Sequence, residues 1–304
     1  MFKSTDTLPA SQDQFFWADF VEFQAIISPD RCFSLSELIG SIKRNTDSNR
    51  KIENAELAWN DLTNFVCTRI IEFGHAYPFK LTDEYKTVYL DYKNTPQQDF
   101  YLFLLIASSM RFISSQKQHE VARVFEETCF TVFRHILPSG SEVKATWAGG
   151  GNAAIYTGTL FEKMKAVADD IRCTANFDRD DFKATDTGDG GIDIIAWHPM
   201  EDNRQGIPIA FAQCGCSTTD WTFKQLEASP AAHLHHLPVI HPWATYYFLP
   251  LDLRRPDGDW GCKSKIKQAI VVDRLRMARL ADRYELYQHL PQFPFIAEAL
   301  NYKP

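Results

Sequence analysis

The stretch Asp189-Gly190-Gly191-Ile192-Asp193-Ile194-Ile195-Ala196 constrains this chain more than any other. A glycine turn enters an apolar strand that carries one carboxylate, Asp193. Burying a carboxylate is costly unless it is paired, hydrogen-bonded or set against a metal. Twenty residues after Asp193 a second apolar run, Ile207-Pro208-Ile209-Ala210-Phe211-Ala212, ends in Gln213-Cys214-Gly215. Two neighbouring strands are expected, each with one polar side chain set among apolar ones.

The rest of the chain supplies two different textures. Residues 10 to 137 read as almost wholly helical. Ser34-Leu35-Ser36-Glu37 has the spacing of a capping box. Glu53 to Phe73, Asp99 to Ile113 and His119 to Leu137 carry apolar residues at helical spacing. Composition then shifts: eight of the 14 glycines lie between Gly140 and Gly191. Pro138-Ser139-Gly140-Ser141 and Gly149-Gly150-Gly151-Asn152 read as a linker. The expected order beyond it is a helix (158–172), strands (191–197, 207–214), a helix (218–228), a strand (244–250), a basic loop and a helix (268–284). The expected fold is therefore α+β, with an all-helical domain over 1–145 followed by an α/β domain over 146–304, each of ordinary domain size.

With 304 residues, 45% of them hydrophobic, the chain can bury a sizeable core. A net charge of −7 argues against a protein that coats nucleic acid nonspecifically, but it permits a local basic groove. Seven scattered cysteines without a CxxC pair suit a reducing compartment. The polar start, Met1 to Asp13, has no signal-peptide core, and the longest apolar run, Phe100 to Met110, is too short to span a bilayer. A soluble, cytoplasmic protein without membrane attachment is expected.

Strand alternation puts Asp193 with Ile195 and Trp197 on one face, and Gln213 with Gly215 on the face that can meet it. Cys214 and Cys216 fall on the opposite, packed side. Glu162, near the start of the 158–172 helix, is the third oxygen donor expected there. Asp193, Glu162 and Gln213 together suit a hard cation such as Mg²⁺, or Mn²⁺ in its place.

Gly158-x-x-Phe161-Glu162, Gly188-Asp189-Gly190-Gly191-Ile192-Asp193 and the Gln213 strand resemble the Mrr-like restriction-endonuclease branch of the PD-(D/E)XK nuclease superfamily, over about residues 155–285. The resemblance implies a helix, a mixed sheet, a helix and a further strand. It implies Mg²⁺ held by Asp193, Glu162 and Gln213, and hydrolysis of phosphodiester bonds, with DNA ahead of RNA. A role in restriction or antiviral defence follows from the family alone. The family places a lysine two residues after the acid or Gln, where this chain has Gly215. Some members carry that lysine on the following helix, which makes Lys224 the first candidate; Lys183, upstream of the glycine turn, is the second. If no lysine serves, the alternative is an inactive nuclease-fold module that binds nucleic acid or a partner protein. The helical half would regulate, recognise a target, form a homodimer or hold a partner subunit.

From Arg254 to Arg283 there are nine basic residues and four acidic ones. Arg254, Arg255, Lys263, Lys265 and Lys267 are the expected phosphate contacts, with Arg274, Arg276, Arg279 and Trp260 beside them. The run His233-Leu234-His235-His236 lacks the spacing of a zinc site and reads as solvated or hydrogen-bonded histidines.

Overall fold

The computed structural model describes residues 1–3, 5, 7–10, 13–45, 55–147 and 156–303. The glycine run 149–151 lies outside them. Along the chain run α1 (Gln14–Ile27), β1 (Cys32–Ser34), α2 (Leu35–Asn45), α3 (Ala55–Phe73), β2 (Phe79–Leu81), β3 (Thr87–Leu90), α4 (Pro96–Ser108) and α5 (Ser115–Ile136). There follow β4 (Glu142–Ala145), α6 (Leu160–Asp170), β5 (Ile194–Trp197), β6 (Ile209–Cys214), α7 (Trp221–Lys224), α8 (Pro230–His233), β7 (Ala244–Phe248), β8 (Ile270–Val272), α9 (Arg274–Arg283) and α10 (Pro294–Leu300).

The fold is mixed α and β, with one five-stranded mixed sheet and one small sheet. It divides into two compact units, neither continuous in sequence: Met1–Val124 with Pro250–Lys263 and Asp273–Pro304, and Phe125–Leu249 with Ser264–Val272. The expected boundary at 145/146 is thus displaced. The chain changes unit within α5, and most of the expected basic tail belongs with the N-terminal residues.

Ion pairs inside the first unit account for that tail. Arg69 on α3 reaches Asp19 at 2.8 Å, Glu22 at 2.7 Å and Asp252 at 2.9 Å. Arg274, at the start of α9, reaches Asp19 at 2.7 Å and donates to Pro250 O at 2.8 Å and to Ser108 Oγ at 2.9 Å. The Tyr77 and Tyr101 hydroxyls donate to Glu22. Five charged side chains are buried here, and each has a partner. That is the condition for burying them, because a lone buried charge is prohibitively costly. The network ties residues 250–263 and α9 to α1 and α3. Arg274 is fully buried and is structural, not a phosphate contact.

The first unit is also not all-helical. β1, β3 and β2 form a small antiparallel sheet, with Phe33 opposite Val88 and Phe79 opposite Leu90. These strands are three or four residues long, too short for alternation to stand out in the sequence.

In the second unit the strand order is β4-β5-β6-β7-β8. β4, β5 and β6 are antiparallel, and β7 and β8 continue in parallel. Ile195, Trp197, Ile209 and Phe211 pack in one apolar cluster with Met164, Val167 and Ala168 of α6 and with Trp243. Phe133 of α5 meets Tyr246 and Phe248 at ring separations of 5.2 and 6.0 Å. Every residue of β5 and β6 is buried, as expected of strands covered on both faces, and such strands read as continuous apolar runs. β4 and β8 were not expected; they fall in what read as the linker and the start of the last helix.

Candidate functional site

The sheet's end at Asp193 and Gln213 opens into a cavity of about 580 Å³, lined by Glu126, Asp189, Gly190, Gly191, Asp193, Gln213, Cys214, Lys224, Glu227, Ala232 and His233. All belong to the second unit. Asp189 folds the entry turn by accepting from Gly191 N–H at 2.8 Å. Gly191 has φ +80°, and a Cβ there would lie 2.7 Å from Glu227 Cβ, so the turn requires glycine twice over. The turn also breaks the expected alternation: Ile192, not Asp193, joins Ile195 and Trp197 in the apolar cluster. Asp193 is left at the cavity, 4% exposed, its Oδ2 accepting from Cys214 N–H at 2.6 Å.

Burial pushes the Asp193 carboxyl well above its ordinary range, and the charges of Asp189 and Glu126 push it further. Burial, then Asp189 and Glu127, raises Glu126 to about 7. Glu227 is raised too, first by burial. Crowded carboxyls of this kind are the electrostatic mark of a functional site.

Gln213 is 6% exposed, and its Oε1 is buried with no hydrogen-bond partner among the described residues. A buried amide oxygen without a partner costs about 1–3 kcal/mol, so it is expected to be there for a ligand. Among the described residues no three His, Cys, Asp or Glu side chains stand close enough to hold a metal by themselves. A hard cation does not need three. Mg²⁺ takes one or two carboxylates and keeps several waters. The carboxyls of Asp193 and Asp189, with the orphaned amide oxygen of Gln213 on the same cavity, fit that requirement.

The structure brings Asp193, Gln213 and Lys224 to one cavity and leaves Glu162 out of the cavity lining. Glu162 is the third residue of α6 and closes a capping box with Thr159: Thr159 N donates to Glu162 Oε2 at 2.8 Å, and Glu162 N donates back to Thr159 Oγ1 at 3.4 Å. Its pKa is lowered by that backbone hydrogen bond. Its further neighbour is Arg179, at 3.7 Å. The acid that sequence reasoning missed is Glu126 on α5. Its signal was weak, because nothing in a helical run separates Glu126 from the adjacent Glu127.

Lys224 ends α7, a single turn where a longer helix was expected. On that turn Trp221 is buried and Phe223 is 75% exposed. Lys183 is exposed and absent from the cavity lining. Gly215 does not leave an open place over the site. A Cβ there would collide with the Tyr247 hydroxyl, and Tyr247 Cζ would stand at 3.2 Å. Cys214 and Cys129 of α5 are both free and buried, in keeping with packed cysteines. His233 Nε2 donates to Glu227 O at 2.7 Å, and burial lowers its pKa, so it is a neutral, hydrogen-bonded wall residue.

The basic segment is split between the units. Arg254 pairs with the buried Asp273 at 3.0 Å and lies over the Trp260 ring, so it is structural. Arg255 and Lys263 are exposed in the first unit, and Lys263 faces Asp259 at 3.7 Å. Lys265 and Lys267 are exposed in the second unit, tethered to the end of α7 by Gln225, which donates to Lys265 O at 2.6 Å and accepts from Lys267 N at 2.9 Å. No helix among the described residues is long and apolar enough to cross a membrane. Comparison with family models, with curated proteins and with solved structures returns no match for this chain.

Proposed function

We propose that the second unit is a Mg²⁺-dependent phosphodiesterase acting on nucleic acid, with DNA as its first candidate substrate. The observation that carries the reading is the unpartnered, buried Gln213 Oε1 on the same cavity as the carboxyls of Asp193 and Asp189. The chain order supports it. A helix (α5), a strand (β4), a second helix (α6), two antiparallel strands (β5, β6), helical segments (α7, α8) and a parallel strand (β7) contain the helix, mixed sheet, helix and further strand that the resemblance implies. Glu126 on α5 lines the cavity and Glu162 on α6 does not, so Glu126 takes the part first given to Glu162.

Asp193 and Gln213 would hold the ion, with Asp189 or Glu126 as the second carboxylate. The bound ion would polarise the phosphate and its own water. Around it the protein's groups divide the work. Cys214 N–H fixes the Asp193 carboxylate. Lys224, the one ammonium at the cavity among the described residues, offsets charge that builds on the phosphate oxygens. Water attacks phosphorus, the P–O bond opposite it breaks, the water's proton leaves to solvent, and the departing oxygen takes one up. Lys265 and Lys267 extend the positive path away from Lys224.

The rival reading, a module that binds without cutting, draws on the closed place over Gly215. Incubating the full chain with single- and double-stranded DNA and RNA in Mg²⁺ or Mn²⁺, beside Asp193→Asn, tests the proposal. Cleavage lost in the variant supports it. Binding without cleavage by either protein supports the rival.

A further inference from the structure

Tyr247 lies directly across from Gln213 in the parallel pairing of β6 with β7. Its ring is fully buried and leans over Gly215, two residues beyond Gln213. Among the described residues its hydroxyl, like Gln213 Oε1, is buried without a hydrogen-bond partner. Two orphaned polar atoms at facing positions of adjacent strands are costly to bury. One atom can only accept and the other can donate. They do not bond to each other, and neither has another partner among the described residues.

We propose that Gln213 Oε1 and the Tyr247 hydroxyl act as one acceptor–donor pair that seats the attacking water, Tyr247 doing for the water what no side chain at Gly215 can do; this rests on the phosphodiesterase reading. The water donates one hydrogen to Gln213 Oε1 and accepts from Tyr247. Its second lone pair is left to face phosphorus. Gln213 Oε1 has two lone pairs, so it serves both the ion and the water. Tyr247 is a water-positioning residue, buried below the cavity lining, while Lys224 supplies charge at the mouth.

The test is Tyr247→Phe in the full chain, with thermal unfolding, DNA binding in Ca²⁺ and cleavage in Mg²⁺ measured side by side. The hydroxyl is held for a ligand, so its removal should leave the melting temperature equal or higher. Binding should stay within about twofold, and turnover should fall about a hundredfold, the usual loss for one such donor. Combined with Gln213→Leu, the two losses should be far from additive, because the residues hold one water. A melting temperature lowered by several degrees would mean that the hydroxyl has a structural partner, and would overturn the proposal. So would an active enzyme in which Tyr247→Phe cleaves at the normal rate. If the wild type cuts nothing, the phosphodiesterase reading falls by itself. Unfolding then still decides the pair: an unchanged or raised melting temperature upholds a ligand-binding hydroxyl, and a lowered one refutes it.

Discussion

Cys214 N–H donates to Asp193 Oδ2 across 2.6 Å and so joins the two polar positions of β5 and β6 into one unit. The bond explains how a carboxyl only 4% exposed can sit at the end of an apolar sheet. It also makes the site testable without damaging the fold, because an asparagine at 193 keeps an acceptor for the same N–H.

In the proposed site Glu126 takes the place that the sequence reading gave to Glu162, and their variants should separate cleanly. Glu162→Ala removes half of a capping box, so it should lower stability slightly and leave cleavage intact. Glu126→Gln should leave stability equal or higher, since it removes a half-neutralised acid from crowded surroundings, and should lower cleavage at least tenfold. Urea unfolding and single-turnover cleavage read the two effects.

Why one acid was legible and the other was not follows from their surroundings. Asp193 stood out because a strand of isoleucines gives a carboxylate no other place to go. Gln213 stood out by the same contrast. Glu126 lies in a helix where acids are ordinary, and only the folding of α5 against the sheet brings it to Asp193. Lys224 was found through the gap at Gly215, although that gap is filled by Tyr247, a contact between strands that no spacing reveals. The five-stranded sheet was read through its two long apolar strands. Its short edges, β4 and β8, were lost in a glycine-rich stretch and in a basic one. Arg274 read as a surface charge because its partners, Asp19 and Ser108, lie more than 160 positions away.

Lys265→Ala with Lys267→Ala should weaken binding to nucleic acid and reduce the slope of log affinity against log salt by up to about 2. Arg254→Ala should instead lower stability, because it leaves the buried Asp273 without its ion pair. Fluorescence anisotropy across a salt series, paired with thermal unfolding, distinguishes the two. An unchanged slope in the double lysine variant would move the nucleic-acid path elsewhere.

A fragment beginning at residue 146 should not fold. It lacks β4 and the stretch of α5 in the second unit, and it carries α9 and α10, whose buried faces belong with the first. Circular dichroism and amide dispersion in a proton NMR spectrum report this directly. A cooperative melt by the fragment would contradict the division.

Asp252 supplies a pH signature in the first unit. Burial raises it to about 6, against the lowering effect of Arg69. Its folded pKa lies above the unfolded value near 4, so its neutral form favours folding below about pH 4. That contribution is lost as pH rises through about 6. Wild type should therefore lose stability relative to Asp252→Asn between pH 4 and pH 7, by an amount on the order of 2–3 kcal/mol. Denaturant unfolding at both pH values measures it. A difference that does not change with pH would mean that Asp252 is ionised throughout.

Cleavage of DNA by the full chain in Mg²⁺, wild type beside Asp193→Asn prepared identically, tests the central claim most directly. Wild type should cut and the variant should not, at equal melting temperature and with EDTA abolishing the wild-type activity. A variant that cuts at the wild-type rate would contradict the assignment of Asp193 as the centre of the site.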